Sequence, residues 1–322
     1  MLRIAITALA GAILLTSTSP SARSQDASAE RGVQLALDGR CTEAMPLLKQ
    51  AVNNVSDPDL KRKAGKGGVR CAMLMNLESD AADFLNYLER EFPRDPDILL
   101  LAVHVHTDLA RLNSEALMRL APESTEVIQL NAENFEKRGD FRSAIAEYRV
   151  LLQREPNTPG IHYRVGGLLM ALPASAASTA EARKEFEAEL KIFPQNAGAE
   201  YSLGELARQQ DKLPQAVEHY SRATQFAPDF AEAYYGLGRC LLDSGKTPDA
   251  LVPLQTSARL QPDNPNVHFA LATAYQRLGR KDDAAREFAL QKSTTEKINQ
   301  NQKALRKNVS GAPASGGPAP KK

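Results

Sequence analysis

The sequence predicts an all-α protein built from stacked helix hairpins, and three observations carry that prediction. Small and apolar residues recur with a step of 34: Ala216, Ala250 and Ala284 keep it, and so do Leu203, Leu237 and Leu271. A fixed period of about 20–50 residues marks a repeat array, in which one supersecondary unit stacks on the next. Proline closes successive units at Pro228 and Pro262, where it stops a helix because it lacks the donor and restricts the residue before it. Composition agrees, since 43% hydrophobic residues with only 6% aromatic and no tryptophan suit close packing of Ala- and Leu-rich helices.

The chain opens on an address. Arg3 precedes the apolar stretch IAITALAGAILL (4–15), and Ala22 and Ser24 stand where a signal peptidase reads small residues. Residues 1–24 are therefore expected to be a signal peptide, with an uncleaved anchor as the alternative reading. The run is shorter than the roughly 20 residues a membrane span needs. Cleavage leaves no integral membrane segment, and the protein is expected to be periplasmic or secreted. In an oxidising compartment Cys41 and Cys71 are the local pair available for a disulfide, with Cys240 left as a buried thiol. Three small core thiols are the other reading.

The units follow in order. Gly39, Ala44 and Leu48 mark the first, and Ala81, Leu85 and Pro93 the second. A third, over about 96–124, is some five residues short of the period. Gly139, Ala144, Tyr148 and Pro156 mark the fourth, and Ala182, Phe186 and Pro194 the fifth, with an inserted loop at ALPASAAST (171–179). The sixth to eighth carry Ala216 with Tyr220, Ala250 with Leu254, and Ala284 with Phe288. Each alanine permits close crossing of two helices, as do Gly204 and Gly238 on first helices. Three ranges result: about three degenerate units at 25–124, about five regular units at 125–298, and a polar helix end with a disordered Pro/Gly/Ala-rich tail at 299–322.

A Leu-Gly pair on the first helix, a mid-repeat alanine, an aromatic or leucine four later and a closing proline, at period 34, resemble the tetratricopeptide repeat family. The resemblance implies an α-α superhelix, a solenoid of helix hairpins, whose concave groove is lined by positions two, five, nine and twelve of each first helix. With the mid-repeat alanine as position twenty, position five reads Tyr163, Tyr201, Tyr235 and Phe269. Glu205, Arg239 and His104 fall at position nine, and Arg208 and Gln276 at position twelve. The four rings are either a ligand surface or packing between neighbouring first helices. His162 and His268 at position four are expected at the helix interface, where Glu200 departs from the pattern and weakens the packing. His106, at position eleven, is expected to face inward, and His219 to lie towards the convex side. A carboxylate clamp for chaperone tails fails: Lys66 and Arg70 fit its start, but Leu101, Glu126 and Leu130 do not continue it.

These features point to a scaffold that binds a protein or peptide partner and supports assembly of an envelope or extracellular complex. A glycan-binding accessory using the same aromatics is the alternative. A formal net charge of +1 gives no field for nucleic acid. KRKAGKGGVR (61–70) lacks phosphate-loop spacing, and no HExxH, GxSxG or paired CxxC occurs. No enzyme, cofactor or metal site is expected. His104 and His106 sit two apart in an apolar run, but on a helix they diverge by about 200°.

Overall fold

The computed structural model describes residues 20–310, which form fifteen α-helices. The expected signal peptide, apart from residues 20–24, and the tail beyond 310 lie outside the described residues. The helices fall into two compact units, one ending at Pro122 and the other starting at Glu123.

The N-terminal unit holds two hairpins and one long helix. The hairpins are α1 (Pro20–Leu37) with α2 (Cys41–Asn54), and α3 (Pro58–Leu74) with α4 (Glu78–Glu91). Asp57 starts α3 by accepting the Asp59 N–H at 2.9 Å, with proline at the first helical position, a favoured arrangement for satisfying unpaired helix donors. Leu48, Phe84, Leu85, Leu88 and Ile98 form the buried centre of this unit. Cys41 and Cys71 are joined by a disulfide that ties the start of α2 to the end of α3.

The short third unit is not a hairpin. It is one helix, α5 (Pro96–Leu120), 25 residues long. Between Asp97 and Leu120 there is neither glycine nor proline, so nothing breaks the helix where other units turn. Those turns use residues with positive φ: Gly39, Gly139, Gly245 and Gly279 at +72° to +76°, a region glycine enters without a Cβ penalty. Asn76 and Asp211 take the same role elsewhere.

The C-terminal unit stacks five hairpins. They are α6 (Thr125–Lys137) with α7 (Phe141–Arg154), and α8 (Ile161–Ala171) with α9 (Ala176–Ile192). Next come α10 (Ala197–Gln209) with α11 (Leu213–Phe226), and α12 (Ala231–Asp243) with α13 (Thr247–Leu260). The last is α14 (Pro265–Arg277) with α15 (Lys281–Ser310). The inserted stretch is mostly helix rather than loop: Ser175 and Ser178 cap each other at the start of α9, which runs 17 residues. α15 continues the last hairpin through the polar stretch, held by Lys297 to Asp263 at 3.0 Å.

Every mid-repeat alanine is buried: Ala144, Ala182, Ala216, Ala250 and Ala284. A Cβ on Gly204 would lie 2.8 Å from the Tyr220 ring, and one on Gly238 would lie 2.5 Å from Leu254. Tyr148, Phe186, Tyr220 and Leu254 fill the space these small residues leave. Full burial of side chains this large stabilises by roughly 1.5–3 kcal/mol each.

Candidate functional site

Two first helices of the C-terminal unit, α10 and α12, build a polar cleft. On α10, Tyr201, Glu205 and Arg208 share a face at spacings of four and three; on α12, Tyr235, Arg239 and Asp243 do so at spacings of four. Together with Gly236 they line a cavity of about 300 Å³. Five of the residues named from the repeat pattern therefore meet in one place. Gly236 and Asp243 were not anticipated, although Asp243 lies one turn beyond Arg239 on the same face.

The cleft is wired by hydrogen bonds. Arg208 Nη2 donates to Glu205 at 2.8 Å, and the Tyr220 hydroxyl, from α11 beneath, donates to the same carboxylate. Arg239 Nη1 donates to the Tyr235 hydroxyl at 3.0 Å, and its guanidinium carbon stands 5.9 Å from that ring's centroid. Tyr201 packs against Tyr220 with centroids 5.8 Å apart and against Phe230 at 4.9 Å, within the range of favourable aromatic pairs. Burial, reinforced by Glu205 and Glu232, pushes the Tyr201 hydroxyl up to about 12. Burial and Glu205 likewise raise that of Tyr220. Both phenols therefore remain protonated donors at neutral pH. The nearby Cys240 thiol is pushed up to about 11 by burial, so it is inert rather than nucleophilic. The cleft thus presents hydrogen-bond donors and acceptors side by side.

Of the four rings at position five, Tyr201 and Tyr235 line the cleft, while Tyr163 and Phe269 do not. Tyr163 packs on Phe186 at 5.9 Å and Phe269 on Phe288 at 6.2 Å, each within its own hairpin. The Tyr163 hydroxyl lies over Gly198, where a Cβ would approach it to 2.8 Å. Phe269 is 51% exposed, Gln276 is also exposed, and neither lines the cleft.

His104 belongs to the N-terminal unit, where it lines a separate cavity with residues of α1 and α3. His106 does not face inward: its side chain is 62% exposed, with Nε2 3.9 Å from Glu89. Val105 between them is the buried residue. Position eleven is buried in the last unit, at Tyr275. The third unit is a single helix rather than a hairpin, and in it His106 faces out.

Glu200 does not loosen its hairpin. It is 4% exposed and accepts from Arg222 Nε at 2.7 Å while contacting His219 Nδ1 at 2.7 Å. Burial opposes its ionisation, but the hydrogen bonds from His219 and Arg222 outweigh that and hold the carboxyl below its ordinary range. Hairpins α8/α9 and α14/α15 carry the same pair with the partners exchanged: His162 with Glu185 at 2.6 Å and His268 with Glu287 at 2.7 Å. His219, on the second helix α11, is thus an interhelix partner of Glu200. The signal was legible as complementary residues at positions four and twenty-three.

Among the described residues, no group of three or more His, Cys, Asp or Glu is placed to hold a metal, and no helix is long and apolar enough to cross a membrane.

A model of the tetratricopeptide repeat family matches residues 130–197, and a second TPR repeat model matches residues 204–241. Residues 130–197 and 204–241 carry tetratricopeptide repeats. Similar solved structures include a MamA RS-1 double mutant, 20% identical, covering 55% of this chain and 97% of that one, with a TM-score of 0.50. MamA from Desulfovibrio magneticus RS-1 is 20% identical over 54% of this chain and 97% of its own, with a TM-score of 0.49. YrrB, described as a TPR protein with an unusual peptide-binding site, is 16% identical over 60% of this chain and 97% of its own, at 0.48. At such identities the likeness concerns the fold. No curated protein matches the sequence.

Proposed function

We propose that the cleft between α10 and α12 holds an extended peptide segment of a partner protein, and that the chain is an exported scaffold supporting assembly of an envelope or extracellular complex. The observation that carries the peptide reading is the mixture of groups around the cleft. Phenolic hydroxyls, two guanidinia and two carboxylates from Tyr201, Tyr235, Arg208, Arg239, Glu205 and Asp243 surround one small cavity. An extended backbone carries one donor and one acceptor per residue, both of which must be satisfied on binding. A cavity of about 300 Å³ sits at the small end of ligand sites and suits one anchoring side chain within a longer segment.

A glycan reader is less favoured. Saccharides stack on a free aromatic face, whereas Tyr201 is already packed against both Tyr220 and Phe230. The N-terminal address and the Cys41–Cys71 bridge support export, since such bridges persist in oxidising compartments.

Crosslinking and pull-down from the exported fraction test the reading. A partner should crosslink to the wild type and be lost with Tyr201→Ala/Tyr235→Ala. An unchanged set of partners in the double variant rules the cleft out, and a chain retained in the cytoplasm rules out export.

A further inference from the structure

The N-terminal unit carries a second cavity of different character. Residues of α1, α3 and α5 enclose about 790 Å³, within the roughly 300–1,000 Å³ typical of small-ligand sites. Its apolar walls come from Val33, Leu37, Val69, Leu74, Leu101 and Val105. Leu37 and Leu74, at the ends of α1 and α3, are 59% and 63% exposed. Four cations of α3 border this apolar space: Arg62, Lys63, Lys66 and Arg70. Arg62 is anchored to Asp95 at 2.7 Å, and Lys66 approaches Asp97 at 3.6 Å. Lys63 and Arg70 have no ion pair among the described residues.

We propose that this cavity binds a single-tailed anionic amphiphile, a long-chain carboxylate, with its tail along the apolar walls and its head at Lys63 and Arg70. Charge complementarity selects the head: Lys63 and Arg70 carry no ion pair among the described residues and stand against one lining anion, Asp108 of α5. Arg62 and Lys66 are already matched by Asp95 and Asp97. The walls select the tail. No Asn, Gln, Ser or Thr lines the cavity, so few side chains there can accept from the N–H groups of an extended peptide, while an alkyl chain needs no such partner. An amphipathic helix satisfies its own backbone, but one acidic along both flanks would meet Asp108. A single charged head avoids that repulsion. The site is separate from the peptide cleft and does not rest on it.

Titration of the full chain with the fluorescent fatty acid cis-parinaric acid, and with its methyl ester, tests the proposal. The acid should bind saturably at one site per chain, at least tenfold more tightly than the ester. The exposed charge reversals Lys63→Glu/Arg70→Glu should weaken it at least tenfold, and Leu74→Lys should do so independently, with circular dichroism melts confirming that both variants fold. Equal affinity for acid and ester, or undiminished binding in both variants, overturns the proposal. So does saturable binding of a synthetic acidic amphipathic helix in the absence of any parinarate binding.

Discussion

The ring of Tyr220 occupies the space that a Cβ on Gly204 would need, at 2.8 Å from its Cε1 atom. Two effects compete in Gly204→Ala. Alanine favours a helix over glycine by about 1 kcal/mol, whereas overpacking costs about 1–3 kcal/mol. Tyr220 is fully buried and bonded to Glu205, so it cannot give way, and overpacking should win. Urea unfolding should show a net loss of up to about 2 kcal/mol. Gly167→Ala on α8, with nothing within 4 Å, should instead stabilise by about 0.4–1 kcal/mol. The opposite order of the two variants would contradict the packing described.

Removing the Glu200 carboxylate leaves His219 and Arg222 short of a buried partner, at a cost of about 1–3 kcal/mol. The pH dependence has a definite sign. The folded carboxyl is held below its ordinary range, while in the unfolded chain it titrates near about 4.3. Its contribution is complete above that value and disappears as pH falls through the lower folded one. Glu200→Gln should therefore destabilise at pH 7, and the gap from wild type should narrow as pH falls below about 4. Denaturant midpoints at pH 7 and pH 3 measure this; a gap that widens in acid contradicts the pairing.

Cys41 and Cys71 close a loop with a sequence separation of 30, worth about 3–4 kcal/mol in the chain-entropy model. The paired serine variant should lower the melting temperature of the N-terminal unit. Thiol labelling of the denatured, unreduced protein should find one reactive cysteine, Cys240; three reactive cysteines exclude the bridge. In the folded protein Cys240 should resist alkylation, because burial raises its thiol to about 11.

Val105 and His106 are neighbours on α5 with opposite fates. Val105→Ala removes buried volume and should cost about 1 kcal/mol or more, whereas His106→Ala should stay within about 0.5 kcal/mol of wild type. Chemical unfolding of the two variants checks this. A larger loss from His106 would return it to the core.

Much of this architecture is legible in the sequence because each hairpin repeats one packing problem. A small residue such as Ala216 or Ala250 must sit where two helices cross, so it recurs at a fixed step. Tyr201, Glu205 and Arg208 could be grouped because a single helix puts them on one face. The third unit misled because its length came close to the period, while the absence of glycine and proline after Asp97 allowed one continuous helix. In that single helix His106 is exposed, whereas Tyr275 at the same repeat position is buried. The His219–Glu200 pair joins two helices, so neither helix's own periodicity reports it. The cavity beside α3 depends on three helices meeting, and no local pattern reports it.

The most direct test is selection of a random peptide display library on the full chain, followed by fluorescence-polarisation affinities of the enriched peptides. Peptides that bind the α10/α12 cleft should lose at least tenfold in affinity, about 1.4 kcal/mol, in Tyr201→Ala/Tyr235→Ala. They should keep it in Phe269→Ala, whose ring stands outside the cleft. Enriched peptides that bind the double variant as tightly as wild type would contradict the peptide-binding role of the cleft.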